Sequence, residues 1–431
     1  MERRLQRRYE ALVRAHVKLG NLSAAGPAIP AGQLSAHAAT QATWRFLNNE
    51  RVTLSALIHP LREAGRVATS QSGSVFVLVV HDWCKLDFKT HTSKSDVIEL
   101  THENDVGYDL TTSLLVDAGM GAPLAPVQMH LATAKQVHST ASDPPSRDDH
   151  HLEQLLPTMN EIAGWRLPRR PVHIIDREAD SLGHFRQWMP AGHLFLVRAD
   201  DRRVLWNGTP KLLSEIAKEL ERQGQFRETR QVLYQGKMAT QLVAETNVVL
   251  HKPHKTRRGG KQYEVPGPPI PLRFIVARVV DEKGKVLAEW MLLTNVPANE
   301  MSAAGIALWY YWRWRIESFF KLLKSHGLNA EGWQQETGLA IARRLLVGAM
   351  ACVMIWNLQH DTSRASEKFK QVLVKLSGRT MKYGVKYTAP ALLAGYFVYL
   401  MMADFLSSSP YSLDELQSLA QQTGISFDDT A

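Results

Sequence analysis

Cysteine is scarce: Cys84 and Cys352 are the only two in 431 residues, and they are far apart in sequence. That excludes a disulfide framework and a cysteine zinc site, and it suits a reducing cytosol. Long apolar runs are missing as well. Leu345–Trp356 and Ala389–Ala403 fall short of the ~18–20 apolar residues a membrane span requires, so two buried helices are expected there, and no membrane partner. No apolar segment follows the charged start Met1-Glu2-Arg3-Arg4-Leu5-Gln6-Arg7-Arg8, which argues against a secretory signal and for a cytoplasmic location. A Walker A loop is also lacking. Arg258-Gly259-Gly260-Lys261-Gln262 has neither its glycine spacing nor its Ser/Thr. Acidic residues are the minority, 42 Asp plus Glu against 51 Lys plus Arg for a net charge of +9. An acidic polymer or an anionic surface is therefore the partner that composition favours.

What is present divides into regions. At this length two or three domains are expected, and no internal repeat is visible. Residues 1–73 carry apolar positions at helical spacing among arginines and predict a small basic helical domain. Val75-Phe76-Val77-Leu78-Val79-Val80 has the β-branched continuity of a strand buried on both faces, with Asp82 at its end. Tyr108–Val116 and Val127–Ala132 predict partner strands, Leu152–Gly164 a helix, and Pro171–Ile175 a second buried strand ending at Asp176. Residues 74–189 and 298–360 thus form one α/β core. Alternation at Leu194–Val197, Gln241–Val249, Leu272–Val280 and Val286–Leu293 predicts a β-rich module at 190–297. Within it, Arg257, Arg258 and Lys261 lie in a basic loop that suits phosphates or is simply a solvated charge run. Residues 361–431 read as a helical C-terminal region.

The chemistry concentrates in one helix expected to run from Ser302 to His326. At ~100° per residue, Tyr310, Arg313, Glu317, Lys321 and Lys324 share a stripe, while Leu308, Trp312, Ile316, Phe319 and Leu323 take the opposite side. A carboxylate among cations stays ionised, which makes Glu317 a hard ligand for a divalent metal and leaves Arg313 and Lys324 for phosphate oxygens. Side chains at the carboxyl ends of adjacent strands project into the crevice beyond the sheet, where ligands bind. Asp82 and Asp176 with Glu317 then form an oxygen cage suited to two metal ions and phosphodiester chemistry.

These residues carry a resemblance. Tyr310-x2-Arg313-x3-Glu317-x6-Lys324, within Tyr311-Trp312-Arg313-Trp314-Arg315-Ile316-Glu317-Ser318-Phe319, resembles the Y-R-E-K signature of the insertion-sequence-four family of transposases. Asp176-Arg177-Glu178-Ala179-Asp180 and Val80-His81-Asp82-Trp83-Cys84-Lys85-Leu86-Asp87-Phe88 are similar to its segments around the two catalytic aspartates. Gln41–Asn49 resembles part of its N-terminal DNA-binding domain. The resemblance implies an α/β fold with a ribonuclease-H-like core, a β-rich insertion and helical regions at both ends. It also implies a catalytic Asp82–Asp176–Glu317 triad holding two Mg2+ ions, with Mn2+ able to substitute. Tyr310, Arg313 and Lys324 would grip phosphates of the element ends, and Trp290 would hold a flipped base or else be a core residue. The partners implied are double-stranded DNA, both terminal inverted repeats and target, and a second copy of the chain, in the bacterial cytosol. The chain also begins at Arg3-Arg4 where relatives carry a further segment, which predicts either a shortened end-recognition domain or a mis-assigned start.

Cut-and-paste transposition through a DNA hairpin is the function this predicts. A nuclease or resolvase without end specificity and a catalytically dead DNA-binding inhibitor are the alternatives. The second would be expected to have lost a metal ligand. A glycosidase carboxylate pair is disfavoured by the cations around Glu317.

Overall fold

The computed structural model describes residues 1–18, 36–258, 261–324, 327–381 and 384–423. They fall into two compact units, residues 54–320 and residues 1–53 with 321–431. Two helices open the chain, α1 (Arg3–Lys18) and α2 (Ala36–Leu47).

The unit of residues 54–320 is built on a 13-stranded sheet. After α3 (Leu54–Gln71) come β1 (Phe76–Asp87), β2 (Ile98–Glu99), β3 (Val106–Asp117), β4 (Pro123–Ala132) and β5 (Val137–Ser139). Then follow α4 (Leu155–Gly164), β6 (Arg170–Ile175), α5 (Leu182–Trp188) and β7 (Leu194–Arg198). Phe76 to Val80 are fully buried, as expected of a strand covered on both faces. β1 pairs antiparallel with β3 from Val77 to Asp87, and β3 with β4. On its other edge β1 pairs parallel with β6, from Phe76↔Arg170 to Val80↔Ile174, and β6 pairs parallel with β7. The sequence places Asp82 at a strand end, whereas β1 runs on to Asp87. What ends near Asp82 is the parallel pairing with β6. The extension beyond it is held by β3 alone.

The same sheet continues through β8 (Arg203–Trp206), β9 (Thr209–Leu212), β10 (Arg227–Tyr234), β11 (Lys237–Leu250), β14 (Ile270–Val280) and β15 (Val286–Thr294), with α6 (Leu213–Arg222) after β9. Among the described residues, β12 (His254–Arg258) and β13 (Lys261–Val265) pair apart from it. β15 adds to β7 through Leu292↔Arg198, Leu293↔Val197 and Thr294↔Leu196. Residues 190–297 therefore extend the sheet. They occupy the edge of β7 that would otherwise present unpaired backbone groups.

α3 belongs with this sheet, so the division falls at Thr53/Leu54 where the sequence suggested residue 73. Its Arg62 donates to the Val127 and Thr140 carbonyls, 3.0 Å each, and pairs with Glu161 of α4 at 3.2 Å. Gly65 permits the approach to the sheet: a Cβ there would lie 2.9 Å from Leu115 Cδ1. On the α4–α5 side Leu155, Met159, Phe185, Trp188, Phe195 and Val197 form the core.

The helix expected from Ser302 to His326 is broken in two, α7 (Ala303–Trp312) and α8 (Trp314–Lys324); His326 lies outside the described residues. Ser302 caps α7 by accepting from Gly305 N. At the junction Arg313 N bonds the Tyr310 carbonyl and Ile316 N the Arg313 carbonyl, a one-residue tightening of the helical pattern.

In the other unit α9 (Gly338–His360), α10 (Arg364–Leu376), α11 (Ala389–Ser408) and α12 (Leu413–Gln422) follow. By length and composition α9 and α11 are each apolar enough to cross a membrane, which the shorter runs taken from sequence had ruled out. α9 is largely buried in the protein. α11 is not a buried helix throughout: Leu392 and Leu393 are covered, but Tyr399, Met402 and Phe405 are exposed.

Candidate active site

Every group of the candidate centre lies within residues 54–320. Asp176 follows β6 directly and caps a 3-10 turn at Arg177–Ala179, accepting from Arg177 N at 2.7 Å. Asp82 accepts from Trp83 N at 2.9 Å. Arg313, at the α7–α8 junction, reaches all three carboxylates. Its Nη1 lies 2.8 Å from Asp82 Oδ2, and its Nη2 lies 2.7 Å from Glu317 Oε1 and 3.4 Å from Asp176 Oδ2. Asp176 and Glu317 thus share one nitrogen. The Arg313 side chain is 8% exposed, against 17% for Asp82, 32% for Asp176 and 30% for Glu317.

Tyr310 completes the group. Its hydroxyl donates to Asp176 Oδ1 at 3.0 Å, and its ring lies 6.4 Å from that of Trp290. Burial raises the Asp82 carboxyl above its ordinary value, against the opposing pull of Arg313 and the Trp83 N–H. Burial acts the same way on Asp176, but Arg313, the Arg177 N–H, the Tyr310 hydroxyl and Arg198 outweigh it and leave that carboxyl below the usual range. Burial would lower the Arg313 guanidinium, yet Asp176, Tyr310, Asp82 and Glu317 together raise it. It is a permanent cation.

Three acids around one arginine leave the cluster negative. The donors are all carboxylate oxygens, the set preferred by hard divalent cations, so the residues fit a metal of that kind. They are not arranged as a metal cage, since among the described residues no group of three His, Cys, Asp or Glu side chains is gathered to hold one. Arg313 takes the place between them.

The other residues singled out from sequence are placed differently. Lys324 pairs with Glu331 at 2.8 Å and Lys321 is exposed; both belong to the second unit. Trp290 is half-buried on β15 and packs against Val232, Ala239 and Val279. The side chains of Arg257, Arg258 and Lys261, and the whole of Gly259-Gly260, lie outside what is described; Arg257–Arg258 end β12 and Lys261 begins β13.

Two features escaped the sequence reading. Arg198, the last residue of β7, has Nη1 3.8 Å from Asp176 Oδ1. The strand-end rule that found Asp176 would have found it too. Beneath the carboxylates lies a histidine layer. His81 bonds Ser113 Oγ through Nδ1 at 2.9 Å and His173 Nδ1 through Nε2 at 2.8 Å. Burial, reinforced by His130 and His193, pushes His81 down to about 3. Burial and then His81 and His193 hold His173 well below its ordinary value, so both rings are neutral. His173 lies within the apolar run Pro171–Ile175, and in sequence it carries no chemistry until a neighbour is known.

The transposase DDE domain family matches residues 109–354. Asp176, Arg198, Tyr310, Arg313 and Glu317 lie inside that match and Asp82 lies before it. No curated protein matches the chain. Among solved structures, the piggyBac transposase synaptic complex with hairpin DNA, determined by cryo-EM, aligns over 98% of this chain and 76% of that chain, at 8% identity and a TM-score of 0.34. With the family matched over more than half of its length, the chain belongs to the transposase DDE domain family.

Proposed function

We propose that this protein is a cut-and-paste DNA transposase of the insertion-sequence-four kind, with Asp82, Asp176 and Glu317 as its catalytic carboxylates. The observation that carries this reading is their convergence, from β1, the end of β6 and α8, onto one buried guanidinium. The strand order β4-β3-β1-β6-β7, three antiparallel strands followed by two parallel ones, supports reading this part of the sheet as a ribonuclease-H-like core with the strands after β7 as its insertion. Two Mg2+ ions held by the carboxylates would activate the attacking oxygen and stabilise the leaving one.

The chain's own residues bind and orient. Tyr310 fixes the Asp176 carboxylate, and Arg313 and Arg198 offer planar donors that match a phosphate's oxygens. In the other unit a cavity of about 880 Å³ is lined by Arg3, Arg4, Arg7, Arg8, Arg45 and Arg51 among others, a surface suited to a DNA backbone. The DNA would be the element's terminal repeats and its target, excision would pass through a hairpin with Trp290 against the flipped base, and two copies would act together.

A plasmid carrying the DNA that flanks the gene, incubated with Mg2+ and either wild-type protein or Asp176→Ala, tests the reading by mapping 3′ ends. Metal-dependent breaks at the repeats, absent from the variant, are expected. Breaks without end preference would instead make the protein a nuclease, and binding without breaks a DNA-binding inhibitor.

A further inference from the structure

We infer that Arg313 is a built-in counter-cation that closes the carboxylate centre of the DNA-free protein, so that a divalent metal ion and Arg313 compete for the same oxygens. The inference rests on the proposed metal role of Asp82, Asp176 and Glu317 and adds how that site is controlled. Its starting point is the disagreement between donor chemistry and donor geometry. Three carboxylates are present, yet each is aimed at the guanidinium, and none of the described clusters is arranged for a metal.

The side-chain hydrogen bonds and ion pairs of Arg313 all run to the carboxylates. Both terminal nitrogens are engaged by the carboxylates, while Nε is buried with no hydrogen-bond partner among the described residues. The face of Tyr310 also lies 6.0 Å away. Its place is therefore fixed by the three acids. A metal ion drawn to the same oxygens removes what holds the guanidinium there, and leaves a buried cation in need of another anion. A DNA phosphate is an anion of matching bidentate geometry. Metal and DNA binding are then linked: either one alone faces the closed cluster, and each weakens the arrangement that excludes the other. Because linkage is reciprocal, DNA raises metal affinity by the same factor as metal raises DNA affinity. The site is closed until DNA is present, which protects against cleavage by a metal-loaded but unengaged protein.

The test measures Mn2+ binding calorimetrically, without and with a DNA duplex from the region flanking the gene, for wild type, Arg313→Gln, Arg313→Lys and Asp176→Asn. In the absence of DNA, Arg313→Gln is expected to bind Mn2+ at least about tenfold more tightly than wild type, a difference of about 1.4 kcal/mol, with Arg313→Lys between them. The wild type should gain affinity when duplex is added, and Arg313→Gln should gain much less. Thermal melting gives an independent measure: removing the arginine should lower the midpoint of the metal-free protein, and Mn2+ should recover more of it in Arg313→Gln than in wild type. If Arg313→Gln does not fold without metal, the wild-type comparison with and without duplex decides. Equal Mn2+ affinity in wild type and Arg313→Gln, or a wild-type affinity indifferent to DNA, overturns the inference. The underlying metal reading fails separately, by Mn2+ binding that Asp176→Asn leaves unchanged or by none in any protein.

Discussion

Tyr310 and Asp176 are 134 positions apart and joined by a 3.0 Å hydrogen bond from the tyrosine hydroxyl to Oδ1. Tyr310 is almost fully buried and Asp176 only partly so, so the tyrosine is the positioning partner. Tyr310→Phe keeps the ring packing and removes the donor. A hydrogen bond to a charged group contributes about 1.5–3 kcal/mol, so the melting temperature is expected to fall and single-turnover DNA cleavage to slow about tenfold or more, with DNA affinity little changed. A loss confined to DNA affinity would show that Tyr310 acts on the DNA and leaves the carboxylate alone.

Asp82 offers a contrast between stability and activity. Burial raises its carboxyl pKa in the folded state. For such a group ionisation opposes folding: the opposition is absent below the unfolded value, grows as pH rises toward the folded one, and is fully present above it. Asp82→Asn removes the charge, keeps one oxygen, which can accept from Trp83 N, and leaves Arg313 two other acids. The metal-free protein should melt at the same temperature as wild type or higher. Cleavage should fall at least about a hundredfold, since even groups that only support a metal ligand account for ten- to a hundredfold. A marked drop in melting temperature would mean that Asp82 is primarily a structural ion-pair partner.

The histidine layer predicts acid sensitivity. Burial, helped by nearby Arg62, lowers His130 to about 4, while the unfolded chain titrates near 6.5. Below 6.5 the unfolded state takes up a proton that the native state refuses, so stability falls as pH drops from 6.5 to about 4 and this contribution levels off beneath. At pH 5 one such ring removes about 2 kcal/mol. Urea unfolding at pH 7 and pH 5 should show His130→Gln losing about 2 kcal/mol less than wild type between the two. An identical loss in both proteins would show that His130 is protonated in the native state.

The strands were legible because each signal is local. The apolar runs ending near Asp82 and Asp176 locate β1 and β6, and the period-2 stretches locate β7, β11, β14 and β15. Their assembly into one sheet was not, because residues 190–297 look the same from sequence whether they pair with β7 or with one another. The 310–324 stripe located Tyr310, Arg313 and Glu317 on a common face, but an ideal helical wheel assumes an unbroken helix. It could not show the tightening at Arg313, nor that this arginine meets Asp82 across 231 positions. Assigning Arg313 to phosphate from its charge alone therefore missed its engagement with the carboxylates. Arg198 ends β7 as Asp176 follows β6, but a lone arginine at a strand end carries no signature of metal or phosphate chemistry in the sequence.

Arg343 tests the packing of the other unit. From α9 its Nε donates to the Val52 carbonyl at 2.7 Å and its Nη1 to the Leu47 carbonyl at 2.6 Å, and the side chain is buried. Leu47 ends α2, so its carbonyl has no partner further along the helix, and arginine supplies one from outside. Arg343→Ala would strand both oxygens away from water. At about 1–3 kcal/mol for each buried group left unpaired, a loss of about 3 kcal/mol is expected. Arg343→Lys, with one flexible ammonium in place of a two-pronged donor, should recover part of it. Limited proteolysis around residues 47–53 would follow the local effect and thermal melting the global one. If Arg343→Ala melts within about 0.5 kcal/mol of wild type, the range of an ordinary surface substitution, these carbonyls find water instead and α9 is held to α2 by its apolar face alone.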